Sequence, residues 1–322
     1  MEPQASVKTR FLILSDTHGE EFPPDVQPNF PVDVAIHCGD LTEESKLDEF
    51  RTSLRLLKAI QAPLKLVIAG NHDFTLDTPA FKNVIDGAPT AIEEDLVRRN
   101  FGNFGEARSL LQQDPDIKLL DEGVHRFVLT NGALLTVYAS PYTPSKSNWG
   151  FQYHPDQGHD WNIPTVDLVM THGPPRGVLD RTDSKERAGC PQLFGAIARA
   201  RPRLHCFGHI HEGWGAKLAA WRRETSEMPT HFADIDNDNS VLLSSLASLK
   251  AGKFDIPETL EEKNIKLKTM TSRRAFFTSH CAGDEVPLRV GEQTLFINGS
   301  IQGPEADSFQ LPWVVDIDLA KA

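Results

Sequence analysis

Five short segments of the chain carry side chains that bind divalent metal ions, and each segment follows an apolar run of strand type. The segments supply Asp16 and His18, Asp40, Asn71 and His72, His172, and His209 and His211. Imidazole and carboxylate donors suit borderline to hard divalent ions, among them Mn, Fe, Co and Zn. These donors are too many for a single tetrahedral zinc ion. The set therefore predicts two ions that share one carboxylate.

Two such ions would support one kind of chemistry. Held about 3.5–4 Å apart, they bind a bridging hydroxide and clamp both ends of an in-line displacement. Two divalent ions bring four positive charges, of which Asp16, Asp40 and a hydroxide offset three. The remaining positive charge favours an anionic ester as the substrate, even though the protein as a whole is acidic.

The segment Gly70-Asn71-His72-Asp73 shows how the fold must position these donors. It follows an apolar run at 64–69 that is typical of a buried strand, and its glycine lets the chain turn sharply. Similar runs precede the other segments, at 11–14, 32–38, 166–170 and 204–207. Sites in open α/β sheets gather outside the carboxyl ends of the strands. We therefore expect an α/β fold with the donors at one set of strand ends, and we interpret the seven other histidines as structural or surface residues.

Composition excludes several classes of partner. The 322 residues carry a net charge of -12, which argues against a stable nucleic-acid complex or an anionic membrane surface, because both require a basic footprint. No apolar run is long enough to span a bilayer. The first strand is predicted to begin near Arg10, which leaves no room for a signal peptide. We expect a cytoplasmic protein whose four separated cysteines are reduced core thiols. The sequence indicates no oligomeric state.

Three other stretches complete the prediction of a single domain over residues 1–322. An apolar stripe of helical period predicts a helix at 47–60. The aromatic-rich run at 141–164 is either a plug over the sheet edge or the rim of a pocket. Residues 219–293 are polar and low in strand signal, so we interpret them as an insertion or flap, with an exposed helix at 258–268. The acidic run at 234–238 is not a calcium loop, because Asn239 stands where that loop needs glycine; we expect a solvated loop.

Taken together, the donor segments resemble the calcineurin-like metallophosphoesterase superfamily. The matching blocks are Asp16-x-His18, Gly39-Asp40, Gly70-Asn71-His72-Asp73, His172 and Gly208-His209-x-His211, in the family's order. The resemblance covers residues 10–215 and the closing strands predicted at 295–298 and 314–317. No single block is specific, whereas the joint match is. The stretches 67–73, 141–151, 170–175 and 207–213 further resemble the metallophosphoesterase-domain-containing (MPPED-type) subgroup, in which residues 219–293 have no recognised counterpart.

The resemblance implies a fold and a role for each donor. The fold is two facing mixed β-sheets flanked by helices, with the dimetal site at the sheet ends. One ion would be held by Asp16, His18, Asp40 and His211, and the other by Asp40, Asn71, His172 and His209. His72 would bind no metal and would protonate the leaving oxygen or stabilise its charge. Glu43 lies where related enzymes place an acid that orients this histidine; a carboxylate at a helix start is the open alternative.

These observations predict a dimetal phosphoesterase that cleaves a small phosphate ester, either a phosphodiester or a cyclic nucleotide. A hydroxide bridging the two ions would attack phosphorus while His72 assists the leaving group and Asp40 holds both ions. Manganese is the expected metal, with Fe, Zn, Co and Mg as alternatives. A phosphomonoesterase or protein phosphatase is the alternative enzyme, and a non-catalytic scaffold that keeps metals for shape is the alternative class. A retained His72 counts against the scaffold, since a scaffold needs no unliganded histidine there.

Overall fold

The computed structural model describes residues 5–87, 93–147, 149–303 and 309–322. Its strands are β1 (Ser6–Leu14), β2 (Val34–His37), β3 (Leu64–Val67), β4 (Ile117–Leu119), β5 (Gly123–Val128), β6 (Leu134–Ser140), β7 (Thr143–Pro144), β8 (Gln152–Tyr153), β9 (Leu168–Thr171), β10 (Leu204–Phe207), β11 (Gly215–Trp221), β12 (Ile235–Ser245), β13 (Phe276–Ser279), β14 (Gln293–Asn298) and β15 (Trp313–Ala320). Its helices are α1 (Leu47–Ala59), α2 (Thr78–Asp86), α3 (Glu94–Phe101), α4 (Glu106–Gln112), α5 (Pro191–Ala200), α6 (Leu246–Leu249) and α7 (Pro257–Arg273).

Two large mixed sheets form the framework. The first has the strand order β13-β15-β1-β2-β3-β4, and the second has the order β12-β11-β14-β10-β9-β6-β5. Strands β1, β2 and β3 run parallel, and so do β9, β10 and β14. Each sheet therefore gathers the carboxyl ends of several central strands at one edge, which is the arrangement expected for a site at strand ends.

The central strands are buried on both faces. In β1, Phe11 and Ile13 join a core shared with residues of the second sheet, whereas Leu12 and Leu14 belong to a separate cluster that includes helix α1. Alternating side chains point to opposite faces of a strand, so this division places one face against the other sheet and the other under a helix. Helix α5 covers the outer face of the second sheet through Phe194 and its neighbours. The predicted class, two facing mixed β-sheets flanked by helices, is confirmed.

Helix α1 begins and ends close to the predicted bounds of 47–60. Glu49 accepts hydrogen bonds from the backbone nitrogens of Glu44 and Lys46, at 3.0 Å each, and so satisfies donors at the helix start. The buried face includes Phe50, Leu54 and Leu57, as the apolar stripe predicts. The helix spans the return from β2 to β3 and helps fix the spacing of their ends.

The expectation of low strand content in residues 219–293 is wrong. Strand β12 pairs antiparallel with β11 at the edge of the second sheet, and β13 pairs parallel with β15 at the edge of the first. In the acidic run at 234–238, Asp234 is buried and Asp236 pairs with Ala220, so the expected solvated loop is wrong there, whereas Asn237 and Asp238 are exposed at an irregularity of the register. Its polar residues have low strand propensity, and cross-strand pairing with β11 holds Ile235 and Asp236 in the strand. The predicted exposed helix is confirmed as α7, which has no buried residue.

Two further expectations concern cysteine and the membrane. All four cysteines are buried and unpaired, as predicted for core thiols. Within the described ranges, no helix is both long enough and apolar enough to cross a membrane.

Candidate metal centre

The predicted donors meet where the two sheets come together at their strand ends. β1, β2 and β3 deliver donors from the first sheet, and β9 and β10 deliver donors from the second. Just beyond β1, Ser15 forms a parallel bridge with Ser300, which follows β14, so the two sheets are joined at this edge. The structure thus brings all seven predicted ligands, His72 and Glu43 into one region.

The backbone at the site adopts conformations that non-glycine residues rarely take. Asp16, His18, Asp40 and His209 have φ values of 55°, 46°, 52° and 67°. Each such residue costs about 1–3 kcal/mol, and such outliers cluster at functional sites. Because the surrounding hydrogen bonds must hold these turns, the strain is an observation in favour of a working site here.

Glycine allows the donor-bearing turns to touch. A Cβ atom on Gly70 would collide with the carboxylate and backbone nitrogen of Asp40, and a Cβ atom on Gly208 would collide with Asp16 and Ser15. Each glycine directly precedes a predicted ligand in the sequence, Asn71 after Gly70 and His209 after Gly208. The two glycines are required because the segments that carry predicted ligands approach each other too closely for any larger residue.

The first cluster of donors comprises Asp16, His18 and His211, whose ligand atoms lie within 4.8 Å of one another. The Nε2 atoms of His18 and His211 are 3.4 Å apart, and His211 Nε2 is 3.5 Å from Asp16 Oδ1. Asp16 is fully buried. Burial alone would raise the pKa of Asp16, but His211, His172 and His18 hold it well below its ordinary value.

The second cluster comprises Asp40, His172 and His209, again with ligand atoms within 4.8 Å. Nδ1 of His172 lies 2.9 Å from the carbonyl oxygen of Cys38, and because a carbonyl only accepts, Nδ1 carries the proton. Nε2 then faces Oδ2 of Asp40 at 3.2 Å and Oδ1 of Asn71 at 3.0 Å. The predicted ligand Asn71 therefore lies in this cluster.

This donor set fits a bound cation. Nε2 of His172 and the two facing oxygens are all acceptors unless a proton or a metal ion lies among them. Burial disfavours a charged ring, yet Asp40 and Asp16 raise the pKa of His172 to about 9, so without metal a proton fills this role. The same neighbours, with Glu43, raise the pKa of His18 to about 9. A divalent ion would displace these protons, as metal ligands must be deprotonated.

Asp40 is placed between the two clusters. Its Oδ2 is 3.2 Å from His172 Nε2 and 4.0 Å from His18 Nε2, and its Oδ1 accepts a hydrogen bond of 2.8 Å from the backbone nitrogen of His72. Burial would raise the pKa of Asp40, but His172 and His18 lower it to about 2. The carboxylate is therefore ionised and within reach of both clusters, which is what the predicted bridging role requires.

His72 lies next to the first cluster and forms a third group of possible ligands with His18 and Glu43, whose ligand atoms are within 4.8 Å of one another. Its ring centroid is 4.8 Å from that of His18, in an edge-on arrangement, and 4.3 Å from that of Trp149. Nδ1 lies 2.6 Å from the carbonyl oxygen of Glu43 and so donates to it. The other ring nitrogen, Nε2, is left for contact with a substrate. This placement agrees with the predicted role of an unliganded histidine, and the role itself stays a prediction.

The expected contact between the carboxylate of Glu43 and His72 needs correction. The backbone carbonyl of Glu43 makes that contact, whereas Oε2 of its side chain is 2.8 Å from Nδ1 of His18. Glu43 also precedes helix α1 by several residues, so it is not a helix-start carboxylate. A carboxylate on the far nitrogen of a metal-binding histidine fixes the ring and its tautomer. Nδ1 of His18 lies at ion-pair distance from this carboxylate without a hydrogen bond of good geometry to any described residue, and the role of Glu43 as a positioning residue for His18 stays a prediction.

Asp73 has a role that the sequence did not reveal. It is fully buried and accepts hydrogen bonds from the backbone nitrogens of Leu41, Thr42 and Gly70, at 3.1, 3.0 and 2.8 Å. These bonds tie the turn after β2 to the turn after β3. Burial and the nearby charge of Asp40 raise the pKa of Asp73 to about 6. Its carboxylate therefore supports the site without facing it.

Ser300 and Asn298 are supporting residues that the sequence reasoning missed. Ser300 Oγ donates to Asp16 Oδ2 at 2.9 Å, and Asn298 Nδ2 donates to the carbonyl of Ile210 at 2.8 Å. Ile210 lies between His209 and His211, so this bond holds the turn that carries both. The available signal was Asn298-Gly299-Ser300 after an apolar strand, the same pattern that marks the other segments.

Two buried histidines anchor the threonines next to predicted ligands. His37 donates to Thr17 Oγ1 and His205 donates to Thr171 Oγ1, at 2.9 Å each. Burial lowers the pKa of His37 to about 4 and that of His205 to about 3, so both rings are neutral. Their interpretation as structural residues agrees with these contacts.

With the geometry established, comparison with known proteins assigns the family. The sequence profile described as "Calcineurin-like phosphoesterase" matches residues 9–213. The chain belongs to this family. Metallophosphoesterase domain-containing protein 1 of Homo sapiens is 35% identical over 229 residues, which are 66% of this chain and 64% of that protein. A UPF0046 protein of Caenorhabditis elegans is 33% identical over 216 residues, 64% of this chain and 52% of that protein. The chain thus spans less than two thirds of the length of these relatives.

The predicted resemblance to the superfamily and to its MPPED-type subgroup is confirmed by these matches. Among solved structures, purple acid phosphatase PPD1 from yellow lupin aligns with a TM-score of 0.37 and 8% identity, over 98% of this chain and 55% of that one. That likeness is too weak to bear on function. The match assigns the family, and the two donor clusters supply side chains that could hold two metal ions.

Proposed function

We propose that this protein hydrolyses a small phosphodiester or cyclic nucleotide, using two divalent metal ions and with His72 assisting the leaving group. The observation that carries the proposal is the pair of donor clusters on either side of Asp40, with His72 next to them in a third group that it forms with His18 and Glu43. The family assignment supports the phosphoesterase class.

The residues present fit two ions. The first would be held by Asp16, His18, Asp40 and His211, and the second by Asp40, Asn71, His172 and His209. When bound, the ions would activate a nucleophile and stabilise negative charge on the phosphoryl oxygens. Nitrogen and oxygen donors in this mixture suit manganese, and they also accept Fe, Zn, Co or Mg. Manganese is the ion we propose.

His72 is oriented to deliver a proton. Its Nδ1 proton is engaged by the carbonyl of Glu43, so Nε2 is the nitrogen that can serve the leaving oxygen. A general acid must lie within hydrogen-bond reach of the atom that it protonates. The hydrogen bond from the backbone nitrogen of His72 to Oδ1 of Asp40 fixes the backbone that carries the ring relative to both clusters. This arrangement supports a role in catalysis over a scaffold that needs metals only for shape.

Charge supports a diester over a monoester. Among the described residues, every ion pair formed by Asp16 or Asp40 is with a histidine, so no lysine or arginine is paired with these carboxylates. A phosphodiester carries one negative charge, whereas a monoester carries close to two at neutral pH. The described ion pairs therefore bring no fixed cation to the two carboxylates, and this is the observation that favours the singly charged substrate. A phosphomonoesterase remains the second candidate.

A substrate panel tests this function. The purified protein, loaded with Mn, should hydrolyse bis-nitrophenyl phosphate faster than nitrophenyl phosphate, and excess chelator should abolish both reactions. Asp40→Asn serves as the control for contaminating phosphatases, whose activity would survive in that preparation. A preference for the monoester would support the second candidate. Metal-loaded, folded protein without activity on any ester would support the scaffold.

A further inference from the structure

The side chain of Trp149 lies at the site and has no assigned role. Its ring centroid is 4.3 Å from that of His72 and 6.3 Å from that of Phe74. The residue is nevertheless 40% exposed, which is a large area for tryptophan. An aromatic ring that is held on one side and open to solvent on another offers a surface for a flat ligand.

The loop that carries Trp149 is fixed to the site by its backbone. The nitrogen of Gly150 donates to the carbonyl oxygen of Asn71 at 3.1 Å, and the nitrogen of Phe151 donates to Asp77 Oδ2 at 2.9 Å. A Cβ atom on Gly150 would lie 2.7 Å from Cα of Phe74, so the loop packs against this segment as closely as its backbone allows. Because Asn71 is a predicted ligand, the position of Trp149 is set relative to the metal site.

The other aromatic residues of the loop are used differently. Tyr142 and Tyr153 stack on either side of His159, with centroid distances of 4.7 and 5.2 Å, and Trp161 contacts the same ring at 4.6 Å. His159 is in turn 2.6 Å from Glu122. This group packs on itself and stabilises the loop. Trp149 alone among these rings contacts His72 in the described structure.

We propose that Trp149 forms a platform for a flat aromatic ring on the leaving group, so that the preferred substrate is a nucleoside phosphodiester. This inference rests on the proposed function, in which His72 faces the leaving oxygen. A group bonded to that oxygen must extend past His72, where Trp149 is its neighbour. A nucleobase is a flat ring attached to a phosphodiester through a sugar, and every base has a face that can stack on an aromatic side chain.

Two substrates with the same reacting bond separate stacking from chemistry. One is a nucleoside cyclic phosphate, and the other is the cyclic phosphate of methyl riboside, in which a methoxy group replaces the base. The wild-type protein should prefer the nucleoside in kcat/KM by about 5- to 100-fold, the range expected for one base stacked on an aromatic ring. Trp149→Leu should remove most of this preference, mainly through KM, and Trp149→Phe should retain part of it.

Phe232→Leu is the matched control, because Phe232 is 73% exposed and its ring contacts His231, away from the predicted ligands. It should keep the wild-type preference. Titration calorimetry of the metal-loaded protein with the two monoesters that hydrolysis would produce repeats the comparison without turnover. A missing preference in the wild-type protein, or equal losses on both substrates in Trp149→Leu, would overturn the platform and leave Trp149 as a support for His72. Absence of hydrolysis with preferential binding of the nucleoside monoester would refute the proposed function while supporting the platform.

Discussion

Removing the charge of Glu43 should weaken one metal site and leave His72 in place. The carboxylate of Glu43 lies 2.8 Å from Nδ1 of His18, and its backbone carbonyl holds Nδ1 of His72 at 2.6 Å. Glu43→Gln changes only the first of these contacts. Because the carboxylate lies beside Nδ1, Nε2 is the nitrogen of His18 that would bind a metal ion, and it faces His211. The substitution should therefore act on the ion held by His18 and His211.

The size of the effect follows from the exposure of the carboxylate. Loss of a partner that orients a metal-binding histidine costs about 10- to 100-fold in metal affinity. The side chain of Glu43 is 54% exposed, so water can take over part of its contact with His18. We therefore expect metal affinity to fall by about 10-fold, the lower end of this range, which corresponds to roughly 1.4 kcal/mol in binding free energy.

Titration of the metal-free protein with manganese measures this effect. Binding is detected by calorimetry or by the electron paramagnetic resonance signal of free Mn. Glu43→Gln should weaken one binding step and leave the other unchanged. Glu44→Gln is the matched control, because Glu44 pairs with Lys46 on the surface. At saturating Mn, Glu43→Gln should affect esters with good and poor leaving groups alike. Unchanged metal affinity together with a loss confined to poor leaving groups would refute this reasoning and return Glu43 to the role of orienting His72.

Three other substitutions test separate parts of the account. His72→Ala should leave metal content unchanged and slow hydrolysis of an alkyl phosphodiester by about 10²- to 10⁴-fold, with a much smaller loss for a nitrophenyl ester; loss of a metal ion would make His72 a ligand. Ser300→Ala removes the 2.9 Å bond to buried Asp16 and should lower the free energy of unfolding by about 1–3 kcal/mol in urea, whereas Ser300→Thr should lose less; equal losses would contradict a role for the hydroxyl. Asp316→Asn breaks a 2.7 Å pair with Arg10 that joins β15 to β1, and should cost about 1 kcal/mol at pH 7. Because the folded state lowers the pKa of Asp316, this stabilisation is present above its ordinary value of 3.8 and is lost as pH falls through the folded value, so a difference that does not shrink as pH falls below 3.8 would contradict the pairing.

The ligand-bearing turns were predictable from sequence because each repeats one local pattern. An apolar strand, a turn and a polar donor recur at β2, β3 and β10, and glycine is required there because atoms of a neighbouring turn approach it closely. Strand burial on both faces gives continuous apolar runs, which are easy to recognise. These signals are local, so the positions of Asp40, Asn71 and His209 could be predicted without knowledge of the pairing partners.

Contacts that depend on three-dimensional packing could not be predicted in the same way. Glu43 is three residues from Asp40, and sequence spacing does not show which of two neighbouring histidines its carboxylate meets. The structure assigns the side chain to His18 and the carbonyl to His72. Trp149 likewise reaches His72 only because Gly150 binds the backbone of Asn71, a contact between distant segments.

Strand β12 shows the limit of composition as a guide. Its residues include several aspartates and asparagines, which are depleted in strands, and the register with β11 contains irregularities. Pairing with β11 outweighs this preference at Asp236, whereas Asn237, Asp238 and Asn239 lie in the irregular part of the register. Strand β13 is short, and its pairing with β15 places Phe276 in the core between the sheets.

Anomalous diffraction from crystals of the Mn-loaded protein tests the central claim most directly. We expect two peaks about 3.5–4 Å apart, with Asp40 in contact with both and His72 in contact with neither. The remaining contacts should divide into two sets: Asp16, His18 and His211 around one ion, and Asn71, His172 and His209 around the other. A single peak at full metal occupancy, or His72 bound directly to an ion, would contradict the account.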